Sequence, residues 1–119
     1  MKVKLSLNLL FICLLALSTS MAFSSTPATS GYITIQELIT FPEYGDGDVI
    51  VKVDDGASIA ECADGFWLSP NQNGFNSNLS FLLSAFQAGN NVKIHAHTSQ
   101  LWPGSSGKYC KIYQIYLKR

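Results

Sequence analysis

Two histidines, His95 and His97, are the residues of this chain whose spacing most directly suggests chemistry. Alternate residues of a β-strand project from the same face, so two imidazoles in this spacing could hold one metal ion. A usable site needs a third and a fourth ligand, and a solvated strand face beside Lys93 explains the same pattern without a metal. The pair is therefore a weak metal-site candidate, and we expect no cofactor.

The other polar clusters do not form a catalytic or calcium-binding motif. Gly-x-Ser-x-Gly, the pattern of a nucleophile elbow, does not occur, and residues 104–107 (Gly-Ser-Ser-Gly) have the composition of a flexible turn. Asp46, Asp48, Asp54 and Asp55 could gather at one end of a hairpin, but they lack the spacing and the closing glutamate of a calcium loop. We therefore expect that the protein is not an enzyme.

Aromatic rings with a polar edge are a stronger indication of function, because such rings stack on sugars and anchor protein interfaces. The candidate ligand-binding residues are Trp67, Trp102, Tyr109 and Tyr113. Trp67 adjoins Leu68 and is equally well explained as a core tryptophan. Trp102 lies in a turn-rich loop and is predicted to be the exposed ring, with packing over the mouth of a barrel as the alternative.

Residues 1–22 have the pattern of a secretory signal peptide. A basic start at Lys2 and Lys4 precedes an apolar run over residues 9–17 and a small-residue exit at residues 20–22. The apolar run is too short to span a bilayer permanently, and no second segment of spanning length follows. We expect a periplasmic or secreted protein without a permanent membrane anchor.

Cys62 and Cys110 remain after such a cleavage, which removes Cys13. In an oxidising compartment an isolated pair is most simply one disulfide; two free thiols or intermolecular links are the alternatives. A disulfide would also occupy the thiolates that a cysteine nucleophile requires.

The charges of the chain are segregated along the sequence. Lys2 and Lys4 are two of the eight basic residues, so the cleaved chain would carry six basic groups against eight carboxylates, which argues against a nucleic-acid partner. All the carboxylates lie in residues 37–64, whereas five of the six basic groups lie in residues 93–119. This division indicates either ordinary surface complementation between paired strands or a charged docking patch.

Hydrophobic periodicity predicts five strands and one helix. The first and last strands each contain a one-residue slip of the apolar phase, after Ile35 and after Ile112, which indicates bulges or bends. Leu79, Leu82, Leu83 and Phe86 have helical spacing, with Asn78 as the expected N-cap and Gly89 as the C-cap. The predicted strands cover residues 32–39, 48–53, 65–68, 91–98 and 109–117.

This order, β-β-β-α-β-β with bent outer strands and one disulfide, predicts a mainly β protein folded as a five-stranded OB-fold-like small barrel. The expected organisation is a signal peptide over residues 1–22, a flexible lead-in over residues 23–30 and one domain over residues 31–119.

A resemblance extends over residues 62–117. It rests on Gly65-Phe66-Trp67, on residues 79–85 and 89–94, and on the Cys110-Lys111-Ile112-Tyr113 start of the last strand. The segment resembles small exported proteins of marine and related Gram-negative bacteria, and more distantly it is similar to the pentameric binding subunits of bacterial toxins. The resemblance implies an OB-fold, a disulfide, a homo-oligomer and a glycan ligand, but no sugar-contacting residue carries over position by position.

These observations predict an exported, non-catalytic binding protein that presents one face of a small barrel to a glycan or to a partner protein. The alternative is a periplasmic envelope protein that acts by protein inhibition or by metal capture.

Overall fold

The structure of the protein is a computed structural model that describes residues 26–54 and 59–119. The predicted signal peptide, Cys13 and Asp55 lie outside the described residues.

The described residues form a mainly β protein with one α-helix, as predicted. They contain six strands rather than the predicted five. The strands are β1 (Ala28–Ile33), β2 (Ile35–Phe41), β3 (Asp48–Val53), β4 (Gly65–Leu68), β5 (Val92–Leu101) and β6 (Tyr109–Leu117), and α1 (Phe75–Ala88) lies between β4 and β5.

The additional strand arises because the predicted first strand is divided at Thr34 and starts earlier than expected. Ala28 to Ser30 belong to β1 and not to a flexible lead-in. Ser30 is buried, and its hydroxyl accepts a hydrogen bond from the Ile94 amide at 2.8 Å and donates one to the Gly31 carbonyl. The polar composition of residues 23–30 indicated a loop. The hydrogen bond from the neighbouring strand to the Ser30 hydroxyl instead holds this part of the chain in the sheet.

All six strands belong to one sheet in the order β1-β5-β6-β4-β3-β2. Each neighbouring pair is antiparallel except β4 and β6, which are parallel. The two edges, β1 and β2, are consecutive in sequence, and within residues 26–54 and 59–119 they are not paired to close the sheet into a barrel.

Thr34, the single residue between the two edge strands, is held by hydrogen bonds. Its amide donates to Asp54 Oδ1 at 2.7 Å, and its carbonyl accepts from the Asp54 amide at 3.0 Å. Its hydroxyl donates to Asn91 Oδ1 at 2.9 Å. The chain therefore passes from one edge strand to the other at a fixed point.

Both predicted phase slips are confirmed as irregularities in the strand register. One lies between Ile35 and Glu37, and the other is the extra residue Tyr113 on β6, opposite the His95 to Ala96 step of β5. The extra residue keeps both Ile112 and Ile115 buried, although they are three positions apart.

The main hydrophobic core lies on one face of the sheet, under the helix. It includes Val49 and Val51 from β3, Phe66 and Leu68 from β4, and Ile94 from β5, all with at most 3% exposure. A second, smaller cluster lies on the opposite face, where Ile50, Trp67 and Trp102 are buried together. The adjacent internal strands β3 and β4 are thus covered on both faces.

The helix begins four residues before the predicted start. Gly74 occupies the N-cap position, so the assignment of this role to Asn78 is wrong, whereas Gly89 has the predicted left-handed C-cap conformation, with φ of 64°. In the loop before the helix, the Ser69 amide donates a hydrogen bond to Gln72 Oε1. Gln72 Nε2 in turn donates to the Ile112 carbonyl at 2.8 Å. These hydrogen bonds hold the loop just before the helix and so fix where the helix begins. Hydrophobic periodicity carries no information about them.

Only part of the predicted helical stripe is core. Leu82 and Ala85 are buried, and Leu79 packs at the edge of the main core, but Leu83 and Phe86 are exposed. The stripe is shifted because the small Ala85 side chain, rather than Phe86, lies against the sheet.

The disulfide Cys62–Cys110 is present, as predicted. It joins a short 3-10 helix (Ala60–Cys62) to the second residue of β6 across a sequence separation of 48, with the two Cα atoms 5.3 Å apart. Both cysteines are fully buried in the main core. A closed loop of this length stabilises a fold by about 4 kcal/mol in the chain-entropy model.

Candidate functional site

The outward face of β1, β5 and β6 carries an alternation of tyrosines, lysines and histidines. Ile94 and Ala96 on β5 point into the main core, so the residues between and beside them point outward. We call this surface the aromatic–lysine face. Its members are Tyr32, Lys93, His95, His97, Lys111, Tyr113, Tyr116 and Lys118.

One end of the aromatic–lysine face is a row of three residues on three adjacent strands. Lys93 on β5 lies opposite Tyr32 on β1 and opposite Tyr116 on β6. Its ammonium lies 4.7 Å from the centroid of the Tyr116 ring and 5.5 Å from that of the Tyr32 ring. Lys118 reaches the same Tyr32 ring at 5.8 Å. Two cations therefore converge on one exposed tyrosine, at distances typical of cation–π contacts.

The histidine pair occupies the middle of this face. His95 packs against the Tyr116 ring, with the centroids 5.0 Å apart, and His97 packs edge-on against Tyr113 at 5.2 Å. As predicted, both histidines project from the same face of β5. Residues 26–54 and 59–119 contain no group of three or more His, Cys, Asp or Glu side chains that could hold a metal ion. Each imidazole instead lies against a tyrosine ring.

Tyr113, a predicted binding residue, is the most exposed ring of the face, at 55%. It is the extra residue of the β6 irregularity, so Tyr113 and Gln114 both project outward before Ile115 returns to the core. A bulge commonly redirects a side chain in this manner. The irregularity thus places a ring between the Lys93 end and the Lys111 end of the face.

Trp67 is buried, in agreement with the core alternative rather than with a fully exposed binding ring. It is 9% exposed, and its indole N–H donates to the Gln100 carbonyl at 3.0 Å. Lys111 lies opposite Trp67 in the β4–β6 pairing and places its ammonium 5.4 Å from the ring centroid. Trp67 therefore adjoins the aromatic–lysine face and supports one of its lysines.

The prediction that Trp102 is exposed is wrong. The ring is 6% exposed, it packs against Phe41, Tyr44 and Tyr109 with centroids 4.9 to 6.0 Å apart, and its N–H donates to Asp48. The loop after β5 folds back over β3 and β4, so the indole covers Ile50. Tyr109, a further predicted binding residue, is half-buried and presents its ring to the same cluster.

The aspartates considered for calcium do not converge. Asp48 accepts from Trp102, Asp54 accepts from the Thr34 amide, and Asp46 accepts from Asn71 Nδ2 at 3.3 Å. Asp55 lies outside the described residues. Each of the three described carboxylates thus has a separate structural partner.

A shallow cavity of about 280 Å³ is lined by residues 40–44, at the end of β2 and the start of the turn to β3. Its lining residues are consecutive in sequence, and the Phe41 and Tyr44 rings that border it also pack on Trp102. Polar groups from other strands do not line it. The aromatic–lysine face, which combines side chains from three strands, is therefore the better candidate site.

Within the described residues, strand pairing does not join the lysines of the face to carboxylates. The ion pair found there is Lys52 with Glu37, at 4.0 Å, and it joins β3 to β2. Lys93, Lys111 and Lys118 lie over aromatic rings instead.

Several members of the face were not predicted as site residues. Tyr32 and Tyr116 flank Lys93 only because β1 and β6 both pair with β5, and Lys118 approaches Tyr32 from the end of β6. Alternation along each strand gave the outward direction of these residues. The register between strands, which brings them together, has no local sequence signal.

Neither a scan against models of protein families nor a search of curated proteins finds a match to this chain. Within the described residues, no helix combines the length and apolar character needed to cross a membrane.

Proposed function

We propose that the protein is an exported, non-catalytic binding protein whose ligand is a glycan held on the aromatic–lysine face. The observation that carries the proposal is the exposure of Tyr32, Tyr113 and Tyr116, at 46%, 55% and 37%, on a single face of the sheet. Stacking an exposed tyrosine ring on the apolar face of a sugar removes the apolar surface of both from water, which is favourable. The tyrosine hydroxyls remain available for hydrogen bonds.

Rigidity supports a binding role for this face. The three strands that carry the tyrosines are anchored underneath by Ile94, Ile112 and Ile115, which belong to the main core. The rings are further held in place by Lys93, His95 and His97. Side chains that are ordered before binding lose less conformational entropy when a ligand arrives.

We infer further that the sheet is a variant of the OB-type barrel. The support is the position of the consecutive strands β1 and β2 at opposite edges, the parallel β4–β6 pair, and the helix between β4 and β5. In this proposal Thr34 is the bend at which one long strand passes between the two halves of the barrel. We propose also that the resemblance of residues 62–117 to toxin binding subunits reflects a shared barrel fold and a shared class of ligand.

Export is the remaining part of the proposal. A buried disulfide is typical of proteins that fold in an oxidising compartment, and the pattern of residues 1–22 supplies the signal for reaching it.

The experiment is a glycan array probed with the protein purified from an oxidising compartment, followed by titration of each glycan that binds. The variants Tyr113→Ala and Tyr116→Ala should each weaken binding about tenfold, because each removes one stacking ring. Tyr44→Ala is the matched control, since Tyr44 is also an exposed tyrosine, at 40%, but lies outside the face. Circular dichroism of each variant confirms that the fold is retained.

Loss of binding in Tyr44→Ala with retention in the other two variants would move the site to the turn between β2 and β3. Absence of any glycan ligand for the folded protein would contradict the proposed function itself.

A further inference from the structure

Among residues 26–54 and 59–119, the cationic groups of the aromatic–lysine face have no carboxylate partner. Lys93 and Lys118 both lie within 6 Å of the Tyr32 ring, and the ion pair between Lys52 and Glu37 is on the other half of the sheet. Ammonium groups close to one another repel, and a ring quadrupole compensates this repulsion only in part. A bound anion would compensate it more fully.

The cations of the face lie at its two ends. Lys111 is opposite His97 in the β5–β6 pairing, and His97 is four residues along β5 from Lys93. Four residues of strand correspond to about 13 Å at a rise of roughly 3.3 Å per residue. Lys93 and Lys118 thus mark one end of the face, and Lys111 marks the other.

Polar and aromatic groups occupy the interval between these ends. His95, Gln114 and Tyr113 lie there, and the Tyr113 ring is turned outward by the β6 irregularity. A single small anion could contact only one end. An extended chain could place its rings against Tyr113 and Tyr116 and its acidic groups beside the lysines at both ends.

We propose, on the basis of the proposed glycan-binding function, that the ligand is an acidic polysaccharide: an extended sugar chain that carries carboxylate or sulfate groups at intervals and lies along β5 and β6. The lysine ammonium groups donate charge-assisted hydrogen bonds to the acidic groups, which are stronger than those between neutral partners. The tyrosine rings stack on the sugars between them.

A single-stranded nucleic acid combines rings and anions in a similar way, but the charges of this protein favour the polysaccharide. All eight carboxylates of the chain lie in residues 37–64, and cleavage of the signal peptide would leave more acidic than basic groups. This charge balance disfavours a ligand that carries a phosphate on every unit. A sugar chain with fewer acidic groups needs only the few lysines that the face provides.

The test compares three probes by isothermal titration calorimetry: a hyaluronate hexamer, which carries a carboxylate on every second sugar, the same hexamer with its carboxylates reduced to alcohols, and a thymidine oligonucleotide. We expect the hyaluronate hexamer to bind at least tenfold more tightly than the reduced hexamer, with an affinity that falls as salt is raised. A κ-carrageenan hexamer, which carries sulfate groups and no carboxylate, is a fourth probe and separates sulfate from carboxylate recognition. Monomeric glucuronate should bind much more weakly than the hexamer, because it reaches only one end of the face.

Lys93→Gln and Lys111→Gln should each lower the affinity for the acidic hexamer about tenfold and leave that for the reduced hexamer unchanged. Lys52→Gln is the matched control, because it removes one positive charge from the opposite half of the sheet and should have little effect.

Equal binding of the acidic and the reduced hexamer, with no effect of the lysine variants, would overturn the acidic ligand while leaving glycan binding in place. Preference for the oligonucleotide over both acidic hexamers would overturn the polysaccharide in favour of a nucleic acid. Failure of every sugar probe, here and on the array, would overturn the proposed function together with this inference.

Discussion

The indole N–H of Trp102 donates a hydrogen bond to Asp48 Oδ2 at 2.9 Å, across 54 positions of sequence. Asp48 is only 2% exposed, so this bond satisfies a carboxylate that water reaches poorly. It also fastens the loop after β5 onto the start of β3. The contact explains why a tryptophan in a glycine-rich loop is buried and why the loop does not contribute an exposed ring.

The first prediction concerns this bond. Trp102→Phe should lower the free energy of unfolding by about 1 to 3 kcal/mol more than Trp67→Phe does, measured by urea denaturation. Both changes replace an indole by a smaller ring, but Trp67 donates to the carbonyl of the exposed residue Gln100, which water can solvate after the change. An equal loss in the two variants would mean that the Asp48 contact contributes little beyond ring packing.

The second prediction tests the close packing of the loop on the same ring. A Cβ atom at Gly104 would clash with the Trp102 ring, whereas a Cβ atom at Gly74 would approach only Asn78 Nδ2, at 4.0 Å. Neither glycine has a positive φ, so backbone strain does not enter the comparison. Gly104→Ala should lower the melting temperature by several degrees through overpacking of about 1 to 3 kcal/mol. Gly74→Ala should cost less, roughly 0.5 kcal/mol, because alanine is a poorer N-cap than glycine but meets no steric clash there, and the reverse order would contradict the placement of the loop.

The third prediction concerns the disulfide. The Cys62→Ala and Cys110→Ala double variant should lose about 4 kcal/mol of stability and at least about 15 °C in melting temperature, because the unfolded chain regains the freedom of a loop of 48 residues. Since both cysteines are fully buried, reductant alone should act on the native wild type far more slowly than reductant with denaturant. Rapid reduction under native conditions, followed by thiol labelling, would contradict that burial.

The fourth prediction concerns the register of β6. Deletion of Tyr113 should be tolerated, because Ile112 and Ile115 would then be two positions apart, the spacing at which both project into the core from a regular strand. Deletion of both Tyr113 and Gln114 should destabilise the domain severely, because Ile115 would then follow Ile112 directly and point outward. Tyr113→Ala, which keeps the extra residue, should change stability by less than about 0.5 kcal/mol, since the ring is exposed. Denaturant unfolding of the three variants measures the differences, and a single deletion as damaging as the double deletion would contradict the assignment of Tyr113 as the extra residue.

The β6 irregularity also illustrates what the sequence can predict. Ile112 and Ile115 must both be buried, and their spacing is wrong for a regular strand, so the phase of the apolar residues reveals an extra residue without knowledge of its partner strand. The strands at residues 48–53, 65–68 and 109–117 and the C-cap at Gly89 were predicted from signals of the same local kind. The disulfide was predicted differently, from an isolated cysteine pair in a chain with an export signal.

Features that depend on distant partners were not predicted correctly. The environment of Trp102 depends on Asp48 and Phe41, and that of Ser30 depends on the Ile94 amide. Both residues lie in polar, small-residue segments whose composition indicates a loop. The aromatic–lysine face could be predicted only in part. The outward direction of Lys93 follows from alternation along β5, but the position of its two tyrosine neighbours depends on how β1 and β6 pair with β5.

The most direct test of the central claim, that the aromatic–lysine face binds a glycan, is a two-dimensional NMR titration of the isotope-labelled protein. The hyaluronate hexamer and its reduced counterpart serve as separate titrants. We predict chemical-shift changes that concentrate in the amides of residues 93–97 and 111–116 with at least one of the two, while the exposed helix residues Leu83 and Phe86 remain unaffected. Changes confined to the helix or to residues 40–44, or no change with either hexamer at saturating concentration, would contradict the claim.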